Sequence, residues 1–163
     1  MVLDELDQQI LRYLQDDGRT SYVALANLLG VSEGTIRKRI RKLELSDVLQ
    51  IVGVTDPFKI GLDTVAFLWL EIKRGMLESV IDELKRIVHV RYLVVATGSH
   101  DLVATVVLPS REKLIDLLNE QLPKIPGIIS TETSIVLQVH KQIHNWIPFN
   151  DTDQRRKSIE IPD

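Results

Sequence analysis

Gly30-Val31-Ser32-Glu33-Gly34-Thr35-Ile36-Arg37-Lys38-Arg39-Ile40-Arg41-Lys42-Leu43 is the stretch that decides the first domain. Gly30 is a residue type that closes a helix, and Ser32 is one that opens the next. Glu33 then falls in the positive first turn of the new helix. Ile36, Ile40 and Leu43 stand at i, i+4 and i+7, the spacing of one buried helical stripe. Advancing about 100° per residue from that stripe sends Gly34, Lys38 and Arg41 to the opposite face. Thr35, Arg37 and Lys42 flank that face, and Arg39 lies nearer the buried edge.

Two further helices precede this one. Asp4 can cap a helix reaching Asp17, with Leu6, Ile10, Leu11 and Leu14 on one face and Gly18 as its stop. The next begins near Ser21, carries Val23, Leu25, Ala26 and Leu29 as its apolar positions, and ends at Gly30. Helix, tight glycine turn, helix is the helix-turn-helix arrangement, whose second member enters the major groove of DNA. Lys38, Arg41 and Lys42 are then donors to phosphates or bases. Arg37 can pair bidentately with guanine, and Thr35 can meet a thymine methyl. Gly34, lacking a side chain, permits close approach. Ser32 and Arg39 complete the expected DNA-contacting set. A charge run by itself is more often a solvated face; the turn spacing, the cap and the one-sided cations together favour DNA.

The whole chain sets few obstacles to this. It has 163 residues, 44% hydrophobic and 26% charged, a balance typical of folded globular proteins. The net charge of -3 does not exclude nucleic acid, because binding depends on where cations sit. With no cysteine, disulfide scaffolds, thiolate metal sites and cysteine nucleophiles are excluded. No apolar run approaches the length of a membrane span. The acidic start Met1-Val2-Leu3-Asp4-Glu5 lacks the basic and apolar regions of an export signal, so a cytoplasmic location is expected.

Downstream, Val48 to Thr55 is β-rich and reads as a strand in a linker over residues 48–62, punctuated by Asp56-Pro57 and Gly61. Over residues 63–145 the signals alternate. Thr64 to Ile72 reads as a strand and Met76 to Val88 as a helix. Val90 to Ala96 and Leu102 to Leu108 read as a hairpin around Thr97-Gly98-Ser99-His100-Asp101. Ser110 opens a helix to about Leu122 with Leu114, Ile115, Leu117 and Leu118 inward, and Ile128 to Val139 is a last strand. The order β-α-β-β-α-β is the ferredoxin-like split unit, so the fold class is α+β. Residues 146–163 read as a polar tail.

The motifs Leu6-Asp7, Ile10-Leu11, Gly18-Arg19, Leu25-Ala26, Gly30-Val31-Ser32, Thr35-Ile36, Arg39-Ile40 and Leu43-Glu44 together resemble the leucine-responsive/asparagine-synthesis regulator (Lrp/AsnC) family. Thr97-Gly98-Ser99-His100-Asp101 looks like that family's Gly-x-x-Asp hairpin. Pro126-Gly127-Ile128, Thr133, Ile135-Val136 and Lys141 look like its last strand. The resemblance runs from about residue 3 to residue 142. It implies a transcriptional regulator of amino-acid metabolism or of its own gene. It also implies dimerisation through the sheets of the second domain, assembly of dimers into octamers, and an amino-acid effector bound near Gly98, Ser99, His100, Asp101 and Thr133. An amino acid is a zwitterion: Asp101 suits its ammonium and the turn N–H groups suit its carboxylate. The competing reading of Asp101 is a turn residue bonding its own backbone. Ser99-His100 stands where many relatives carry an acidic residue and an aromatic, so the resemblance leaves the effector open. Two dimer-related copies of the third helix would read a loosely palindromic operator in double-stranded DNA, at roughly 34 Å or a multiple.

Rival readings rest on fewer residues. A siroheme-decarboxylase-like enzyme on the same two-domain scaffold could use His89, His100, His140, His144, Arg91 and Arg111, but needs no cationic helix face. His140 and His144 suit a metal only on a helix, and the segment reads as strand end and tail. An acylphosphatase-type hydrolase needs a nucleophile–base pair that is not evident. The chain is accordingly expected to be no enzyme, and to use neither metal nor cofactor.

Overall fold

The computed structural model describes residues 2–143. The expected tail over 146–163, and His144, lie outside them. The chain divides into two compact units, the first running to Gly53 and the second spanning Val54–His140.

The first unit holds α1 (Glu5–Asp16), α2 (Tyr22–Leu29) and α3 (Glu33–Leu45). Each start has the side-chain cap its sequence offers. The Asp4 carboxylate accepts the Asp7 N–H at 2.9 Å, Ser21 Oγ the Ala24 N–H at 3.1 Å, and Ser32 Oγ the Thr35 N–H at 3.1 Å. Each satisfies a donor that the helix leaves unpaired, worth about 1 kcal/mol. Gly30 closes α2 at φ 68°, and its N–H donates to the Ala26 carbonyl. That left-handed backbone costs other residue types roughly 1–2 kcal/mol. Ile10, Leu11, Leu14, Leu25, Ala26, Ile36, Ile40 and Leu43 bury one another, joined by Leu49. Val23, expected among the apolar contacts, is exposed; on so short a helix Leu25 and Ala26 supply the buried face.

The linker departs from expectation. No strand forms over Val48–Thr55. The Val48 and Leu49 N–H groups both donate to the Leu43 carbonyl, closing α3, and Leu49 drops into the helical core. β-branched residues favour an extended chain, yet a strand also needs an edge to pair with, and this segment finds none among the described residues. A 3-10 turn follows over Pro57–Ile60.

The second unit is a four-stranded antiparallel sheet with two helices. Its elements are β1 (Thr64–Ile72), α4 (Leu77–Arg86), β2 (Val90–Val95), β3 (Leu102–Leu108), α5 (Arg111–Asp116) and β4 (Ile128–Ile135). The strand order is β2-β3-β1-β4, so each helix crosses between strands separated by a third: the split βαββαβ fold expected. Ala66, Leu68, Leu70, Leu102, Ala104, Val106 and Leu108 meet Val80, Leu84, Leu114 and Leu117 in one core. The expected single helix over Ser110–Leu122 is instead α5, a π turn over Leu117–Gln121 and a 3-10 turn over Leu122–Lys124. Pro123 offers no N–H and its ring would collide with the carbonyl four residues back, so an α-helix cannot continue through it. Ile115, expected inward, is exposed, while Leu114 and Leu117 are buried. β4 ends at Ile135 rather than Val139, although Val136 N–H still reaches the Val65 carbonyl at 2.8 Å.

Candidate nucleic-acid interface and effector hairpin

Ile36, Ile40 and Leu43 are fully buried, and this orients the rest of α3. Gly34, Arg37, Lys38, Arg41 and Lys42 are exposed, and Thr35 and Arg39 are half-buried. Lys38, Arg41 and Lys42 have no ion-pair partner among the described residues. Ser32 is committed to its helix: its hydroxyl caps Thr35 N–H and also meets Thr35 Oγ1 at 2.8 Å.

Two cations of α3 are held by neighbouring side chains. Arg37 Nη2 donates to Glu33 Oε1 at 2.6 Å, and its guanidinium carbon lies 5.3 Å from the Tyr22 ring centroid, over the ring. An exposed pair of this kind contributes only about 0.3–0.5 kcal/mol. The i, i+4 spacing of Glu33 and Arg37 is readable in the sequence; the Tyr22 contact depends on how α2 crosses α3 and is not.

Arg39, included in the expected DNA-contacting set although nearer the buried edge, is engaged within the fold. Its Nη1 donates to Asp4 Oδ2 at 2.5 Å and to Asp7 Oδ1 at 3.2 Å, so it ties α3 to the start of α1. Its azimuth at the edge of the buried stripe carries it there. Asp7 is 1% exposed and completes a reciprocal cap by accepting the Asp4 N–H at 3.4 Å. A buried carboxylate without a cation would be costly, and Arg39 supplies that cation.

In the second unit, the hairpin between β2 and β3 turns at Gly98, whose φ of 125° favours glycine. The Asp101 backbone extends the sheet: its N–H donates to the Leu70 carbonyl at 2.9 Å, and its carbonyl accepts the Ala96 N–H at 2.9 Å. Its carboxylate accepts the Ile72 N–H at 2.7 Å, at the point where the β1–β4 register shifts between Glu71 and Ile72. One oxygen of the expected ammonium partner is thus already engaged in the fold. Ser99 Oγ meets His100 Nδ1 at 3.2 Å, His100 Nε2 stands 3.7 Å from Glu132 Oε2, and the His100 and Trp69 ring centroids are 6.1 Å apart. Glu132 is paired with Trp69 across β1 and β4, whereas Thr133 is paired with Leu68. Successive strand residues point to opposite faces. Thr133 therefore lies on the other face from Trp69 and Glu132, and is not brought to His100. Trp69 and Glu132 were not legible as members of this cluster, because strand register is set by pairing rather than by composition.

The family comparisons agree with this architecture. Residues 3–44 match the AsnC-type helix-turn-helix domain and residues 65–146 the Lrp/AsnC ligand binding domain. An uncharacterised HTH-type transcriptional regulator of Pyrococcus furiosus is 39% identical over 86% of this chain and 95% of its own. The structure of E. coli AsnC superposes with a TM-score of 0.80 at 28% identity, covering 89% of this chain and 99% of that one. A Neisseria meningitidis regulator solved as an L-Met complex has the same fold, with a TM-score of 0.78 at 22% identity over 87% of this chain and 94% of that one. The curated relatives that match along the chain are helix-turn-helix transcriptional regulators. The chain belongs to the Lrp/AsnC family: DNA-binding regulators that carry a small-molecule ligand domain.

The Asp7 backbone N–H, and after it the Arg39 guanidinium, hold the Asp4 carboxyl below its ordinary value. A carboxylate lowered on folding stabilises the fold above its unfolded pKa, and that stabilisation is lost as pH falls through the folded value. The window therefore lies below about pH 4. Asp4→Asn keeps a good cap residue and removes only the charge. Thermal melts recorded against pH are expected to show a shallower acid limb for this variant than for wild type; superimposable acid limbs would refute the role given to the charge.

Proposed function

We propose that α3 is the element that enters the major groove, with Lys38, Arg41 and Lys42 on phosphates or base edges and Gly34, Thr35 and Arg37 beside them. The observation that carries this reading is the one-sided placement of these cations opposite the buried Ile36, Ile40 and Leu43. Such a regulator works where the DNA is, which in a prokaryotic cell is the cytoplasm; among the described residues no helix is long and apolar enough to cross a membrane. The domain limits we assign are helix-turn-helix over 1–47, linker over 48–62, and sensing and assembly over 63–145.

The second unit supports assembly into a homodimer. Both helices pack on one face of the sheet. The alternate residues Val65, Phe67 and Trp69 of β1 pair with Val107, Thr105 and Val103 of β3, giving an apolar patch on the other face. Phe67 there is 39% exposed. Burying apolar area of this kind contributes roughly 25 cal/mol per Å², and a second copy of the chain is the occupant that the family resemblance indicates. Dimers would then assemble further, to octamers.

The effector proposed is an amino acid at the Gly98–Asp101 hairpin, serving control of amino-acid metabolism or of the protein's own gene. The fold neighbour solved with L-Met and the ligand-domain match support this class. Ser99 and His100 offer polar contacts, the second Asp101 oxygen offers one to an ammonium, and Glu132 stands beside His100.

Three measurements test these readings. With duplexes enriched by the wild-type protein from a random pool, Lys38→Ala/Arg41→Ala should lower affinity and flatten the log K against log salt slope by about 1.8 per protomer. Unchanged affinity and slope would remove α3 from the interface. Sedimentation of wild type at micromolar concentration should show dimers or larger species, and Val103→Glu/Val107→Glu should shift them towards monomer; a wild-type monomer would defeat the dimer. A thermal-shift screen of the twenty amino acids should find at least one that stabilises, by about 2.7 kcal/mol at a hundred times Kd. A flat response across all twenty would defeat the amino-acid effector.

A further inference from the structure

We propose that Arg37 is the residue of α3 that reads a base edge, and that Glu33 and Tyr22 are the positioning residues that aim it. The inference rests on α3 being the DNA-facing helix. It starts from a contrast among the exposed cations of that helix. Lys38, Arg41 and Lys42 have no partner among the described residues and can follow a phosphate wherever it lies. Arg37 is held from two sides, with the Glu33 carboxylate at 2.6 Å on Nη2 and the Tyr22 ring 5.3 Å from the guanidinium carbon.

Those contacts add little to stability, since the side chains are 65% and 44% exposed. Their effect is geometric. A guanidinium is planar and presents its donors as a rigid fork. A carboxylate on one nitrogen and an aromatic ring facing the cation restrict the orientation of that plane before any DNA arrives. Glu33 takes one N–H of Nη2, and Nη1 and Nε carry no other partner among the described residues, so the second Nη2 N–H with a neighbouring N–H still makes a two-donor edge. The acceptors that match an Arg fork in the major groove are guanine O6 and N7. A phosphate needs no such preparation, because it accepts from many directions and a point charge serves it as well.

Charge balance points the same way. Glu33 places a negative charge in the first turn of a helix that must approach a polyanion. Its charge is compensated by Arg37, and Arg37 retains unused donors. Glu33 therefore sacrifices nonspecific attraction and fixes a direction, which is the exchange expected of a specificity device.

The test uses the full-length protein and an operator selected from random duplexes by the wild type. Each guanine of the operator is replaced in turn by 7-deazaguanine, which lacks the N7 acceptor, and Kd is read by fluorescence anisotropy. Wild type is expected to lose about tenfold at one guanine per half-site, in line with the discrimination of a bidentate pair. Arg37→Lys keeps the charge and loses the fork, so it should keep the wild-type salt slope and show no loss at that guanine. Glu33→Gln and Tyr22→Leu should each cut the discrimination severalfold. Glu33→Gln should also bind unrelated duplex more tightly, because it removes a negative charge beside the phosphates, so the positioning role is read from the discrimination at the guanine. Tyr22→Phe keeps the ring and should behave as wild type, and an unchanged melting temperature of the Leu variant checks that its effect is not a folding defect. If Arg37→Lys discriminates as wild type does, Arg37 is not the reader. If Glu33→Gln and Tyr22→Leu both retain full discrimination, the positioning role falls. If wild type enriches no sequence at all, the DNA reading of α3 falls together with this inference.

Discussion

The burial of Ile36, Ile40 and Leu43 is the constraint on which the DNA-facing half of the molecule depends. Each is fully enclosed, and together they fix the rotation of α3 about its own axis. Once that rotation is set, the positions of Lys38, Arg41 and Lys42 follow without further choice. A slip of one residue would turn the outer face by about 100° and carry Arg37 or Arg39 to its centre. The apolar stripe thus determines which cations meet solvent, and the interface is as well defined as the core behind it.

On either side of that stripe, the two flanking arginines serve the helix differently. Arg39 leans to α1, where Asp4 and Asp7 already cap the helix start, and the buried Asp7 needs its charge. Arg37 leans to α2, where Tyr22 gives it a surface to rest on but no enclosure. The first contact is part of how the three helices are joined; breaking it would leave a carboxylate stranded in a nearly dry site. The second is open to solvent and stabilises little. A pair that contributes little to folding is free to be shaped by recognition, whereas the Arg39 cluster is not.

The parts of this architecture legible in the sequence are those governed by neighbours three or four residues apart. The caps at Asp4, Ser21 and Ser32, the stripe of α3 and the strand β1 all follow from such local patterns. What was not legible depends on pairing or on a break. The β-branched residues of Val48–Thr55 meet the local condition for a strand, but the segment pairs with no strand among the described residues. The helix after Ser110 carries a continuous apolar pattern, yet Pro123 acts back through the preceding turn and the helix widens before it. In the same way, the helical azimuth puts Arg39 near the buried edge, but only the packing of α1 against α3 reveals Asp4 and Asp7 as its partners. At the hairpin, the likeness to the family's Gly-x-x-Asp turn singled out Gly98 to Asp101, but only register could bring Trp69 and Glu132 to His100.

Asp101 shows why an effector residue is harder to assign than a DNA-facing one. Its N–H and carbonyl continue the sheet, and its carboxylate satisfies Ile72 N–H where the β1–β4 pairing shifts. Without that carboxylate the Ile72 donor would lose its partner beside the sheet core, so a fold-level requirement accounts for aspartate at this position with no ligand at all. A carboxylate has two oxygens and about four acceptor sites, and one bond to Ile72 does not exhaust them. A ligand ammonium taking the other oxygen would draw on the same carboxylate that accepts the Ile72 N–H. Binding and sheet geometry would then share one side chain, and any ligand that prefers a slightly different Asp101 would act directly on the pairing of β1 with β4. The hairpin is therefore a place where a small molecule could be felt by the sheet, for a reason that lies in the hydrogen bonds of Asp101 rather than in the family likeness.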